Sequence, residues 1–251
     1  MSDSSAVLTE RRDRVMLITL NRPDAMNAIN GELSNGLVGA IEELDNDPGL
    51  TAAVLTGNGR GFCAGMDLKA FAAGEDIGPM MDFIKNGSKK PLIGALEGFA
   101  LAGGLELALT CDLLVAAKGV KMGIPEVNVG LFAAGGGLQR LPSRVGYARA
   151  MEMAITADPI MSEEAHEVGL VSRLVEPGEA VDAALQLAER VSKNAPLAVS
   201  ASKQLIKAAV DMDVEAFWEK QNSFMSVFVS NDAKEGPKAF AEKRPPEWTG
   251  T

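Results

Sequence analysis

Two glutamates, Glu106 and Glu126, are the residues of this sequence best suited to general acid–base chemistry. Glu106 lies in the apolar run 103–109, where an ionisable side chain is either turned towards solvent or buried for a purpose. Glu126 follows a Gly-Ile-Pro segment at the end of a short extended run. For either glutamate alone, a capping or surface role is the better interpretation. Together they could supply an acid and a base to a small substrate, and their spacing alone does not decide between these interpretations.

Three glycine-rich turns, at residues 61–67, 102–106 and 134–138, accompany these glutamates. Each turn follows a strand-like segment, and glycine there permits unusual backbone angles and the close approach of a ligand. None of the turns has the glycine spacing of a dinucleotide-binding or P-loop motif. A single turn of this kind is usually a packing device, but three of them beside two acidic residues favour a ligand site.

The single histidine, His166, lies in a charged helical stretch and is interpreted as a surface residue. One histidine makes a zinc site of the usual type unfavourable, and no G-x-S-x-G motif is present to supply the serine of a catalytic triad. We therefore expect no metal and no redox cofactor.

The formal net charge of −10 disfavours nucleic acids and anionic membranes as partners. An anionic ligand would have to be held by backbone N–H groups or a few placed cations. The two cysteines, Cys63 and Cys111, form no disulfide framework, which favours a reduced, cytoplasmic location. No apolar run reaches the roughly 18 residues that a membrane span requires.

Alternating strand, turn and helix signals predict an α/β fold with parallel or mixed sheets. Short apolar runs indicate buried strands, and periodic apolar residues indicate helices. The predicted strands cover residues 15–20, 53–56, 92–96 and 113–116, with helices over 30–45 and 105–110. From Tyr147 onward the sequence is mainly helical, with helices predicted over 151–155, 180–193, 196–210 and 214–229. These last helices have little core of their own, so we expect them to pack on the sheets or on another subunit.

Five motifs occur in a characteristic order along nearly the whole chain. They are residues 21–28, residues 62–68, residues 102–108 running into Cys111-Asp112, residues 123–126 with 136–141, and the C-terminal residues 235–244. Any one of them is weak, but the ordered set is highly specific. It resembles the crotonase (enoyl-CoA hydratase/isomerase) superfamily.

The resemblance implies a spiral of repeated ββα units over residues 1–195 and a helical region over residues 196–251 that trimerises. Trimers of this family often pair into hexamers. The implied ligand is an acyl-CoA bent into a cleft, with coenzyme A as part of the substrate and no separate cofactor.

The resemblance also assigns roles to residues. The backbone N–H groups of Met66 and Gly103 would form an oxyanion hole, strengthened by the helix N-terminus at Gly103. Glu126 would donate a proton to the substrate α-carbon, and Glu106 would hold and activate water. Because both acids are present, an enoyl-CoA hydratase is predicted. The alternatives are an enoyl-CoA isomerase or specialised hydroxyacyl-CoA dehydratase on the same scaffold, and a non-catalytic acyl-CoA-binding protein.

Acyl-CoA contacts carried over from the family lie in four parts of the chain. They are Ala25, Met26 and Ala28; Ala64, Met66, Asp67 and Leu68; Gly103, Gly104 and Pro125; and Phe240 and Lys243, which match positions that touch the adenine end from a neighbouring subunit. Asp112 and Arg140 are interpreted as structural.

Departures from the family pattern lie near the expected acyl site. Ala102 replaces the first of three glycines, Ala133 and Ala134 replace a common proline and glycine, and the stretch 69–90 is short. These departures leave the preferred acyl chain open. The sequence also leaves open the pathway served and the choice between trimer and hexamer.

Overall fold

Two β-sheets carry the site-forming loops of this protein, and the computed structural model describes them within residues 5–251. The strands in chain order are β1 (Val7–Arg12), β2 (Val15–Leu20), β3 (Ala52–Gly57), β4 (Leu92–Leu96), β5 (Phe99–Leu101), β6 (Leu113–Ala117), β7 (Lys121–Gly123), β8 (Ile160–Met161) and β9 (Arg173–Val175). The larger sheet has the order β1-β2-β3-β4-β6-β9, and the smaller has the order β5-β7-β8. In the larger sheet β1 runs antiparallel to β2, and the other neighbours are parallel.

Helices surround the sheets and make up most of the chain after residue 147. They are α1 (Gly31–Asn46), α2 (Leu68–Ala72), α3 (Gly78–Asn86), α4 (Gly103–Thr110), α5 (Gly137–Val145), α6 (Tyr147–Thr156), α7 (Ser162–Glu167), α8 (Ala180–Ser192), α9 (Pro196–Asp211), α10 (Val214–Asn222) and α11 (Asn231–Glu242). Short 3-10 helices occupy Pro23–Ala25, Pro125–Val129 and Met225–Val229.

The chain advances as a spiral, because each turn places one strand in each sheet. β4 is followed by β5, and β6 is followed by β7. Successive turns stack in register, with Ile93 opposite Leu113 in the larger sheet and Phe99 opposite Lys121 in the smaller. Isolated bridges join Ile29 to Met66 and Cys63 to Ala100. They continue the stacking of the smaller sheet through the earlier turns of the spiral. The predicted crotonase-like spiral is confirmed.

The central strands are apolar throughout because both of their faces are buried. One face, represented by Val54 and Ile93, packs on Ala184 and Ala188 of α8. The opposite face joins the main core with α1 and α4. Parallel strands covered on both sides are expected to be continuous apolar runs, which is why β2, β3 and β4 were predictable from sequence.

The C-terminal helices are anchored to the spiral by a lysine. Nζ of Lys203 in α9 donates to the carbonyl of Lys90 at 2.7 Å and lies 2.8 Å from the Asp112 carboxylate. Asp112 also accepts the Leu92 N–H at the start of β4. This pairing supports the structural interpretation of Asp112.

Within residues 5–251, none of the helices combines the length and apolarity that a bilayer span requires.

The prediction of a single helix over residues 214–229 is wrong. α10 ends at Asn222, and a separate 3-10 helix follows at Met225–Val229. The N–H groups of Ser223 and Phe224 bond to carbonyls three residues earlier, and the Ser223 hydroxyl donates to the Lys220 carbonyl. These tighter, local hydrogen bonds replace the α-helical ladder and end it.

Candidate active site

Glu106 and Glu126 lie on the wall of the same cavity, which has a volume of about 270 Å³. Glu106 lies on α4, and Glu126 lies on the 3-10 helix Pro125–Val129 that follows β7. Since β5 and β7 are neighbours in the smaller sheet, the segments that follow them begin side by side. The spiral thus brings together two acids that are separated by 19 intervening residues.

Met66 and Gly103 both line this cavity, and their backbone N–H groups lie close together. In the bridge to Ile29, the hydrogen bonds use the Gly65 carbonyl and the Asp67 N–H, so the Met66 N–H is directed away from that strand. Within residues 5–251 neither the Met66 nor the Gly103 N–H donates to a protein acceptor. A Cβ placed on Gly103 would lie 3.6 Å from the Met66 nitrogen, which shows how close the two donors are. Such a pair can bind a carbonyl oxygen that becomes negatively charged.

Close packing of two loops holds these donors in place. Gly65 has φ +98°, and a Cβ there would lie 2.8 Å from the Ala102 Cβ. A Cβ on Gly104 would lie 2.1 Å from the Cys63 carbonyl oxygen. Gly104 is therefore required for contact between α4 and the loop that carries Cys63. It supports the cavity without lining it.

Glu106 is a buried carboxyl group that accepts a hydrogen bond from the main chain. The residue is only 4% exposed, and its Oε1 accepts the Gly137 N–H at 2.9 Å. Burial raises the pKa of Glu106, while the Gly137 and Gly135 N–H groups and the Arg140 charge oppose this effect. A Cβ on Gly135 would lie 2.6 Å from Oε2 of Glu106, so the turn can approach the carboxylate only because glycine lies there.

Glu126 has the contrasting environment of an acid that retains its proton. Its Oε2 is buried and has no hydrogen-bond partner within the described part of the chain. Burial raises the pKa of Glu126 to about 7; its own backbone N–H opposes the shift, and the negative charge of Glu106 adds to it. A carboxyl group that titrates near neutrality is suited to proton transfer at physiological pH.

Comparison with known proteins identifies the family. The family model described as "Enoyl-CoA hydratase/isomerase" matches residues 10–251. An enoyl-CoA hydratase of Mycobacterium tuberculosis is 41% identical over 96% of this chain and 95% of its own length. A carnitinyl-CoA dehydratase of Proteus mirabilis is 38% identical over the full length of both chains. A crystal structure of an M. tuberculosis enoyl-CoA hydratase superposes with a TM-score of 0.95 and 53% identity, covering 99% of this chain and all of that one.

The chain belongs to the enoyl-CoA hydratase/isomerase family. The resemblance inferred from the ordered motifs is thereby confirmed.

Several of the contacts carried over from the family line the cavity of this member. They are Ala64, Met66, Leu68, Gly103 and Pro125, together with the two glutamates. Ala25, Met26 and Ala28 do not line it but lie beside it. The carbonyl of Met26 accepts the Ala64 N–H at 3.1 Å, so this segment forms the border next to the two N–H donors.

The Asp67 side chain is engaged within the protein. Its carboxylate lies 3.2 Å from Arg22 and accepts the N–H groups of Lys69 and Ala70 at the start of α2. Arg22 also donates to the carbonyl of Ala28. Asp67 therefore ties the segment 22–28 to the loop that carries Met66, and its side chain does not line the cavity.

Phe240 and Lys243 are not brought to the cavity of this chain. Phe240 on α11 is 86% exposed, and Lys243 is an exposed residue that ends α11 in a left-handed conformation. Contact of these residues with an acyl-CoA remains a prediction that involves a neighbouring subunit.

Sequence reasoning placed Ala134 and the stretch 69–90 near the expected acyl site but named none of the other residues that close the apolar side of the cavity. From α3 and its N-cap come Ile77, Met80, Met81 and Ile84. From the end of the 3-10 helix Pro125–Val129 and the loop after it come Val129, Leu131, Phe132 and Ala134. The α3 residues recur at the spacing of one helical face, so the signal was present in the stretch 69–90. The cavity of this family member therefore combines two backbone N–H donors with a lining of apolar side chains.

Proposed function

We propose that this chain is an enoyl-CoA hydratase that adds water reversibly to a 2-trans-enoyl-CoA thioester. The observation that carries the proposal is the difference between the two carboxyl groups on one cavity wall. Glu106 accepts a backbone N–H, and that hydrogen bond opposes the rise in its pKa. Oε2 of Glu126 has no hydrogen-bond partner within residues 5–251, and burial raises its pKa to about 7. Hydration of a double bond requires one group that acts as a base and another that acts as an acid. Hydratase relatives that span nearly the whole chain support the same reaction.

The proposed reaction uses both ends of the cavity. The thioester carbonyl accepts hydrogen bonds from the Met66 and Gly103 N–H groups, each worth about 3–4 kcal/mol in the transition state. Water held by the Glu106 carboxylate attacks C3 of the enoyl group and passes one proton to Glu106. The electron pair of the double bond moves towards the carbonyl and forms an enolate. Glu126 delivers its proton to C2 of this enolate. Water is thus added across C2 and C3, and exchange with solvent restores the two glutamates.

The test is hydration of crotonyl-CoA, followed by loss of the conjugated enoyl absorbance. Glu106→Gln and Glu126→Gln keep the side-chain volume, and each should lower kcat by at least about 10²-fold. Glu42→Gln, on the exposed face of α1, is the matched control and should retain parental activity. A folded parent that binds coenzyme A but hydrates neither short nor long enoyl chains would contradict the proposal.

A specialised dehydratase is the second candidate. A carnitinyl-CoA dehydratase is among the full-length relatives, and Ala133 and Ala134 replace residues common in the family beside the acyl end. Product analysis with a hydroxyacyl-CoA bearing a polar acyl group separates the two candidates. Faster dehydration of that substrate than hydration of crotonyl-CoA would favour the dehydratase. Migration of the double bond without uptake of water would instead indicate an isomerase.

Trimeric assembly through the helical region 196–251, with hexamers as pairs of trimers, belongs to the same proposal. Exposed apolar side chains on these helices support it, among them Ile206 (72%), Trp218 (54%) and Phe228 (75%). In such an assembly Phe240 and Lys243 would contact the adenine end of a substrate bound to the next subunit. Sedimentation velocity measures the assembly, and Lys243→Ala should raise KM with little change in kcat.

We also propose a reducing, cytoplasmic location. It is supported by Cys63 and Cys111, which are buried as free thiols.

A further inference from the structure

Arg140, one turn into α5, joins two separate walls of the cavity. Its Nη1 donates to the Gly135 carbonyl at 3.1 Å, and its Nη2 donates to the Ile84 carbonyl in the last part of α3. Both Gly135 and Ile84 line the cavity, whereas Arg140 itself does not. The guanidinium therefore acts behind the cavity surface, as a fixed fork with two backbone acceptors.

The turn that Arg140 holds is the same turn that binds Glu106. Between Gly135 and Gly137 lies Gly136, which has φ +88°. A Cβ on Gly136 would lie 2.5 Å from the Arg140 Nη1, so the left-handed glycine allows the guanidinium to lie against the turn. Loss of the guanidinium would release the Gly135 carbonyl and, with it, the N–H groups that face the Glu106 carboxylate.

We propose that Arg140 is a positioning residue, which fixes the Gly135–Gly137 turn against the Glu106 carboxyl group. The proposal rests on the hydratase function proposed above and extends it to a residue that the sequence had indicated as structural. Arg140 touches neither the substrate cavity nor the reacting atoms, so its effect passes through Glu106.

Charge supports the geometric argument. Burial raises the pKa of Glu106, and the positive charge of Arg140 acts with the two glycine N–H groups to hold it down. The other charged groups around the pair are Glu126 beside Glu106, and Arg144, Lys207 and Asp211 around Arg140. Replacing Arg140 by a neutral residue should therefore make Glu106 harder to ionise.

A matched control lies one helical turn away. Arg144 is on the same helix and is half-buried like Arg140, but its charge acts on Cys111 and Asp112 and not on Glu106. Arg140→Gln removes the charge next to Glu106, Arg140→Lys keeps a charge but cannot reproduce the two-pronged contact, and Arg144→Gln removes a comparable charge elsewhere. A purely structural role for both arginines would produce similar losses of stability and no difference in pH dependence.

The experiment measures kcat and KM for crotonyl-CoA from about pH 5 to about pH 9, together with melting temperatures. In Arg140→Gln we expect kcat to fall about 10²-fold with little change in KM, as for a displaced catalytic group. The acidic limb of its kcat/KM profile should move up by about one pH unit, while Arg140→Lys retains the parental limb and Arg144→Gln does not shift it. An unshifted limb in Arg140→Gln, or an equal shift in Arg144→Gln, would overturn the proposal.

A second readout is independent of turnover. The protein is labelled at the side-chain carboxyl carbon of its glutamates, and the chemical shift of Glu106 is followed by NMR as the pH changes. The signal that is missing in Glu106→Gln identifies Glu106. Its titration midpoint should rise in Arg140→Gln and not in Arg144→Gln. If the parent lacks hydratase activity, the proposed function fails, and this titration still decides whether Arg140 controls Glu106.

Discussion

Oε1 of Glu106 accepts the backbone N–H of Gly137 at 2.9 Å, across 31 residues of sequence. This hydrogen bond joins α4 to the start of α5 and fixes one catalytic candidate by main-chain atoms. Backbone donors are held by the fold, so the carboxylate cannot easily reorient.

Gly135→Ala should reduce catalysis through Glu106. The new Cβ would lie 2.6 Å from the Glu106 Oε2, which is too close, so the carboxylate or the turn must shift. We expect kcat to fall about 10²-fold, as for a catalytic group displaced by about 1 Å. Gly39→Ala is the control, because its Cβ meets no atom within 4 Å and it lies in helix α1. Equal activity in both variants would show that the position of Glu106 is not critical.

Gly103→Ala and Gly104→Ala should separate function from folding. A Cβ on Gly103 has no neighbour closer than 3.6 Å, but one of those neighbours is the Met66 nitrogen. The variant should fold normally while kcat/KM falls by about 10²-fold or more, because the methyl group crowds the carbonyl site. In contrast, the Gly104 Cβ would lie 2.1 Å from the Cys63 carbonyl oxygen, so that variant should lose stability. Thermal denaturation and enoyl-CoA hydration, measured on both, test this difference.

Stability should depend on pH through Glu126. Its pKa in the folded protein is raised from 4.5 to about 7, so folded protein keeps a proton that the unfolded chain releases in this range. The free energy of unfolding should therefore decrease as pH rises from about 4.5 to about 7, by about 2–3 kcal/mol from this group. Glu126→Gln should remove this loss and be more stable than the parent at pH 8. Urea denaturation at several pH values measures the effect, and near pH 4 the two proteins should agree, since both side chains are then neutral.

Asn27→Asp should destabilise the loop beside the cavity. The buried Asn27 Nδ2 donates to the carbonyls of Asn58, Gly61 and Phe62 at 2.9–3.0 Å, and its Oδ1 accepts the Arg22 N–H. A carboxylate there would face three carbonyl oxygens, and we expect a loss of about 3 kcal/mol or more. Asn58→Asp, whose side chain is exposed, is the control and should change stability by less than about 1 kcal/mol. Chemical denaturation measures both variants.

The sequence by itself determined the order of the main elements and the family of the chain. β2, β3 and β4 were predictable because parallel strands covered on both faces are short continuous apolar runs. Helices α1, α8 and α9 were predictable from apolar residues at helical spacing. Glu106 and Glu126 were identified as candidates from the segments that carry them, the glycine-rich turns beside them and the family resemblance. Their roles remain predictions.

Only the tertiary structure decided which of these candidates meet and in what state. It placed Glu106 against Gly137 and left Oε2 of Glu126 without a hydrogen-bond partner within residues 5–251. Burial and hydrogen bonding of this kind arise between distant segments. It also brought α3 to the wall of the cavity and directed Arg140 to Ile84 and Gly135. The physical reason is that pattern and spacing report local structure, whereas a pKa or a cavity wall depends on which side chains and backbone groups the completed spiral packs together.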